Sequence, residues 1–173
     1  MFARLFAVFI VLLQGWALCC SAWAADDGDE ELKPWQEIEV QFPSAPVRGN
    51  LLPLYVSAAT ANKFFIDGVT LSVGADGVIR YVMVVETPEG GRNVTFEGMR
   101  CETRGRRIYA SGRLDGTWSK ARKSEWERIQ DAYANRQHAA LFLEYFCPLG
   151  IPVRSAAEAR DALVRGGHPD VKR

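Results

Sequence analysis

The chain has 173 residues, 48% of them hydrophobic, with 21 Lys and Arg against 21 Asp and Glu and only two histidines. That balance excludes collagen-like, coiled-coil, low-complexity and wholly disordered chains, and it removes the basic footprint of a nucleic-acid binder. A single domain is expected at this length.

The N-terminus reads as an export signal. Arg4 is the only charge before Asp26, Leu5 to Leu13 are apolar, and Ala22-Trp23-Ala24 supplies the small residues a signal peptidase reads. This pattern describes a secretory signal peptide over residues 1–24, cleaved after Ala24, and a periplasmic destination. The apolar run is short for a bilayer core of about 30 Å. Cys19 and Cys20 raise lipid attachment as the alternative, although Leu18 stands where a lipoprotein site wants a small residue. Removing the signal leaves 149 residues with 20 positive and 21 negative side chains, and two cysteines, Cys101 and Cys147. An even pair in an exported chain reads as one disulfide. It would close a loop of about 47 residues and stabilise the fold by roughly 4 kcal/mol in the chain-entropy view.

Residues 25–47 form an acidic, Pro-containing lead: seven acids stand against Lys33 alone. Such a segment is expected to be solvated, although Trp35, Ile38, Val40 and Phe42 allow its second half to lie across the fold as an edge strand. A domain over residues 48–165 follows. Leu51 to Val56, interrupted by Pro53, reads as an edge strand. Phe64 to Val73 reads as a second strand, and Gly74-Ala75-Asp76-Gly77 as a tight hairpin turn. Val78 to Thr87 is the strongest strand, with Ile79, Tyr81, Met83 and Val85 on one face and Val82 and Val84 on the other. Apolar residues on both faces imply a central strand covered on each side. Pro88-Glu89-Gly90-Gly91 turns the chain into a strand from Arg92 to Cys101, where Gly98 signals a bulge or a close approach. Arg107 to Arg113 completes an antiparallel meander.

The last third changes period. Ser124 and Glu127 have capping-box spacing, and Trp126, Ile129 and Tyr133 recur as on a helix. Ala139, Phe142, Leu143 and Phe146 continue an apolar face, with Asn135 a possible break between two helices. Ser155 and Glu158 open a last helix, Ala156 to Arg165, stopped by Gly166-Gly167, with residues 166–173 as a flexible tail. The fold class is therefore α+β: an antiparallel meander of four or five strands covered by two or three C-terminal helices.

Motifs of chemistry are sparse. No metal-ligand spacing, haem attachment motif, phosphate loop or nucleophile elbow occurs, and no cofactor is implied. His138 is the one histidine inside the domain; as a general base it would need a carboxylate, and Glu144, Glu97 and Asp67 are candidates that linear spacing does not rank. A helix-face histidine bonded locally is the commoner outcome. Residues 101–128 are the most basic stretch, with eight Lys and Arg against four acids. Arg104, Arg106, Arg107, Arg113, Lys120, Arg122 and Lys123 form a candidate patch for an anionic partner. Charged turns facing water are the plainer account, and the acidic lead folding back on this stretch would make it an internal pairing.

Several segments carry a family likeness. Asn50-Leu51-Leu52-Pro53-Leu54-Tyr55-Val56-Ser57-Ala58, Asn62-Lys63-Phe64-Phe65-Ile66-Asp67, Arg92-Asn93-Val94 and Phe96-Glu97-Gly98-Met99-Arg100-Cys101-Glu102 resemble the cryptic-neisserial-protein-like (CNP-like) family. Tyr109, Gly112-Arg113, Trp118 and Phe146-Cys147-Pro148 resemble it too. The likeness covers roughly residues 48–164. It implies one compact exported domain of a Gram-negative envelope, with a structural role for the cysteine pair, and it carries no catalytic residue or cofactor with it. The leading expectation for function is a non-catalytic periplasmic module that binds an envelope protein or an anionic envelope component, with no nucleic acid as partner and no transmembrane segment in the mature chain. The alternative is an envelope-acting enzyme using His138 and nearby carboxylates.

Overall fold

A computed structural model describes residues 34–131 and 136–171. The compact unit runs from Trp35 onward. The expected signal peptide, Cys19, Cys20, Tyr133 and Asn135 lie outside the described residues.

An antiparallel sheet organises the unit. Its strands are β1 (Leu51–Leu54), β2 (Lys63–Asp67), β3 (Ser72–Val73), β4 (Val78–Glu86), β5 (Arg92–Arg100), β6 (Gly105–Gly112), β7 (Trp118–Lys120) and β8 (Glu127–Arg128). The order is β1-β2-β4-β5-β6-β7, with β3 also on β4 and β8 also on β6. The meander and the α+β class are as the sequence predicts, with more strands. Pro53 sits on the edge strand β1, where a missing N–H costs no ladder bond.

The strand expected from Phe64 to Val73 is two strands. Asp67 breaks it: its Oδ1 accepts the Val69 N–H at 3.1 Å, a local turn that competes with extended backbone. Both pieces then pair with β4 along the same edge. The turn after β3 is the predicted hairpin, with Gly77 at φ 76° and its N–H bonded to the Gly74 carbonyl at 3.0 Å. Between β5 and β6 the register shifts after Phe96, leaving Tyr109 as the extra residue on β6. Gly98 answers it: a Cβ there would lie 2.3 Å from the Tyr109 hydroxyl, so only glycine admits the ring.

The two faces of β4 separate as its alternation predicts. Ile79, Tyr81 and Met83 join the main core with Ile66, Met99 and the helices. Val82 and Val84 join Val94, Phe96 and Tyr109 in a second cluster.

The helical layer begins late. The helix expected from Ser124 is absent from residues 121–131, which are extended and contain β8. Ser124 does not cap. Its Oγ accepts from Arg107 at 3.0 Å and donates to the Ile108 carbonyl at 2.9 Å. Ile129 still reaches the main core, so its apolar residue is used without helical winding. Helix α1 covers Arg136–Ala140 and passes into a π-helical stretch, Leu141–Phe146. There the hydrogen bonds reach five residues, so residues four and five apart share a face. Leu141, Tyr145 and Phe146 are consequently buried, and Leu143, expected inside, is exposed. A disulfide joins Cys101, just past β5, to Cys147.

Helix α2 covers Ala156–Arg165, with Ser155 as its N-cap and Gly166 in the left-handed conformation as its stop. Among its described residues the tail is anchored at His168. His168 is buried, and its N–H bonds the Glu144 carbonyl at 2.7 Å.

Candidate functional site

Three polar groupings stand out. The first lies in the main core, between sheet and α1. Glu97 of β5 points to the helical side, directly across from Tyr81 of β4. Its Oε2 takes the Tyr81 hydroxyl at 3.1 Å and meets His138 Nε2 at 2.8 Å, while Oε1 takes the Thr95 hydroxyl at 2.6 Å. Of the three carboxylates sequence left open, Glu97 is the partner of His138. Asp67 closes a turn instead. Burial pushes the Glu97 carboxyl up, but His138, the Thr95 hydroxyl and Arg106 outweigh it and hold the carboxyl below the usual glutamate range. Burial and the neighbouring Glu97 push the Tyr81 phenol well above its usual value. An ionised Glu97 makes Nε2 the protonated imidazole nitrogen. His138 Nδ1 is buried without a hydrogen-bond partner among the described residues. The Glu97 and His138 side chains are only 3% and 5% exposed. The contact has dyad geometry, but it is sealed.

The second grouping was not singled out from the sequence. Residues 34–47 have no regular structure and run across the second sheet face as a strap. Val40 packs on that face's cluster, and Phe42 meets the Phe96 ring edge-on at 6.1 Å. Glu37 is the strap's polar anchor. Its Oε1 accepts from the Tyr109 hydroxyl and from Arg80 at 3.3 Å, and its Oε2 accepts from Arg107 and from Trp126 Nε1 at 3.3 Å. Arg80 is held from its other side by Asp76 at 2.6 Å. Asp76 also accepts the strap's Ile38 N–H at 3.1 Å, and its carbonyl accepts Trp35 Nε1 at 2.8 Å. Burial pushes the Asp76 carboxyl up, but Arg80 and the Ile38 and Val78 N–H groups bring it below its usual value. The available signal was coarse: an acidic lead opposite a basic stretch. The strap is no edge strand, since its backbone forms no ladder with the sheet.

The third grouping is the candidate anion patch, which the structure divides. Arg104 lies over the Phe142 ring with its guanidinium carbon 5.2 Å from the centroid. Arg106 pairs with Glu127 at 2.9 Å, and Arg107 belongs to Glu37. Arg113 is exposed beside Asp115. Lys120, Arg122 and Lys123 are exposed and form no ion pair among the described residues. Lys120 and Arg107 line an open groove of about 410 Å³ together with Val40, Phe42 and Ser124. Among the described residues no group of three or more His, Cys, Asp or Glu is placed to hold a metal ion, and no helix is long and apolar enough to cross a membrane.

A model of the CNP1-like family matches residues 30–164. The chain belongs to the CNP1-like family. That match begins ahead of the strap, which places Glu37 within the part of the chain the CNP1-like family describes. A curated relative, Cryptic neisserial protein 1 of Neisseria gonorrhoeae, is 26% identical over 103 residues, covering 52% of this chain and 50% of that protein. The chain thus spans about half the length of the curated relative it matches. No solved structure matches the chain.

Proposed function

We propose that this CNP1-like protein is an exported, non-catalytic module of the cell envelope that binds an anionic envelope component along β7 and the segment after it. The observation that supports it is the contrast within the basic stretch. Arg104, Arg106 and Arg107 are engaged inside the fold, whereas Lys120, Arg122 and Lys123 face solvent without acidic partners among the described residues. Exposed like charges concentrated in four residues raise the local potential and steer an anion. Burial of Glu97 and His138 speaks against the enzymatic alternative, because a general base must reach its substrate.

The test is retention of the full chain on a sulfated-polysaccharide matrix. Wild type is expected to bind at low salt and elute as salt rises, while the Lys120→Glu, Arg122→Glu, Lys123→Glu triple variant passes through. Absence of retention at low salt would overturn the reading. Export has its own check. The mass of the protein released from the periplasm should lack residues 1–24, and an intact N-terminus would remove the export claim.

A further inference from the structure

The opposite end of the sheet carries a second concavity, with chemistry unlike the basic strip. It measures about 400 Å³ and opens where the loop after β1, the strand β5 and the start of α1 meet. Seven polar side chains line it, and four of them, Asn62, Asn93, Arg136 and Gln137, end in an amide or a guanidinium. None of the four makes a side-chain hydrogen bond or ion pair among the described residues. Ser57 and Thr60 line it too. Each hydroxyl oxygen accepts a backbone N–H two residues on, at 3.3 and 3.2 Å, so each keeps its own proton to donate. The floor is apolar, made by Val56, Phe64 and Val85.

A neighbouring concavity of about 390 Å³ shares Val56, Ser57, Thr60, Asn62 and Phe64 with the first, so the two adjoin along residues 56–64. It adds Lys63 and Tyr55, whose side chain is largely exposed. Among the described residues no carboxylate lines either part.

We infer that this groove is a saccharide-binding site. Each amide brings two donors and an acceptor, and each hydroxyl a donor and an acceptor. A row of sugar hydroxyls, each both donor and acceptor, matches that set, whereas a phosphate or carboxylate uses donors only. The C–H faces of a pyranose suit the Val56, Phe64 and Val85 floor and the Tyr55 ring, which offer apolar area with a polar rim. With Arg136 and Lys63 as the charged groups and no acid present, the groove accepts a neutral or singly anionic saccharide and disfavours a cationic one. This goes beyond the anionic reading, involves none of its residues, and stands or falls separately.

The experiment is a nitrogen-15 titration of the full chain with two probes, a trisaccharide of N-acetylglucosamine and one of glucose, and with inorganic phosphate as the ionic control. At least one trisaccharide is expected to shift the side-chain amide signals of Asn62, Asn93 and Gln137 and the backbone of residues 55–63, saturating in the millimolar range. The double variant Asn62→Ala, Gln137→Ala should bind about tenfold or more weakly. Its urea midpoint should stay unchanged, because neither side chain bonds within the fold among the described residues. The triple Glu variant of the basic strip should bind the trisaccharide like wild type. No shift with either trisaccharide at ~20 mM would overturn the inference. So would shifts of the same signals by phosphate alone, or a double variant that binds as wild type does.

Discussion

The two faces of the sheet are closed in different ways. On one, helices and a disulfide lie over a broad apolar core, and the polar groups inside it, Glu97, His138, Tyr81 and Thr95, are bonded to one another. On the other, a strap without regular structure covers a smaller cluster, and much of its hold passes through Glu37 and Asp76. The same sheet therefore depends on burial and covalent closure on one side and on ionic hydrogen bonds on the other. That difference makes the faces separately breakable.

The largest effect is expected on the helical face. Glu97→Ala leaves His138 and the Tyr81 hydroxyl without their acceptor in the core, and removing one member of a buried pair costs about 3–5 kcal/mol. Urea denaturation should show a loss of that size, with faster amide exchange in residues 136–146. A loss below about 1 kcal/mol, the level of a surface pair, would show that the pair is solvated and not sealed.

On the strap face, Glu37→Ala removes the acceptor for Arg107, Tyr109 and Trp126 but leaves Arg80 with Asp76. A cost of about 1–3 kcal/mol follows from unpaired, partly buried donors. Exchange should rise across residues 35–47 while the helices keep wild-type protection. Equal loosening of both faces would end the claim that they are independent.

Acid should reach both faces. The Glu97 and Asp76 carboxyls titrate below their reference values of 4.5 and 3.8. A lowered folded-state value means the unfolded chain binds the proton first. The stability they contribute is thus complete above about pH 5 and is lost as the pH falls through the folded-state values. Tyr81 and Tyr109 lie on the other side, raised above 10.0, so their contribution holds below that pH and declines above it. Urea midpoints measured from pH 7 downward should fall less steeply in Glu97→Gln than in wild type. An identical acid limb would assign the acid loss to other groups.

Local pattern carried the sheet because each β4 residue alternates sides, and Val82 and Val84 against Ile79 and Tyr81 announce a strand covered twice. It failed at residues 124–131 because Ser-x-x-Glu and the Trp126–Ile129 spacing are local signals, while the outcome is set by distant partners. Trp126 goes to Glu37, 89 residues away, and Glu127–Arg128 pairs with Gly105–Arg106. The polar clusters were hidden for the same reason. Glu97 and His138 lie 41 residues apart, and Glu37 stands 70 and 72 from Arg107 and Tyr109. Charge asymmetry between the lead and the basic stretch was the trace of that pairing visible in one dimension. The π-helical winding that turns Leu143 outward left no such trace, since the residues themselves fit an α-helical face.

The smallest effect sharpens the comparison from inside the helical face. Ser155 Oγ accepts the Glu158 N–H at 3.2 Å, and Glu158 in turn accepts the Arg154 N–H at 2.6 Å and meets His168 at 3.2 Å. In Ser155→Ala the α2 start loses one acceptor, but Glu158 still holds the backbone just ahead of it. The loss is therefore expected at the low end for an N-cap, about 0.5–1 kcal/mol. Exchange should rise only in the first turn of α2, with the strap and the α1 region unaltered. A loss nearer 2 kcal/mol would mean that the cap also holds α2 against β1, and that the helical face unfolds as one cooperative unit.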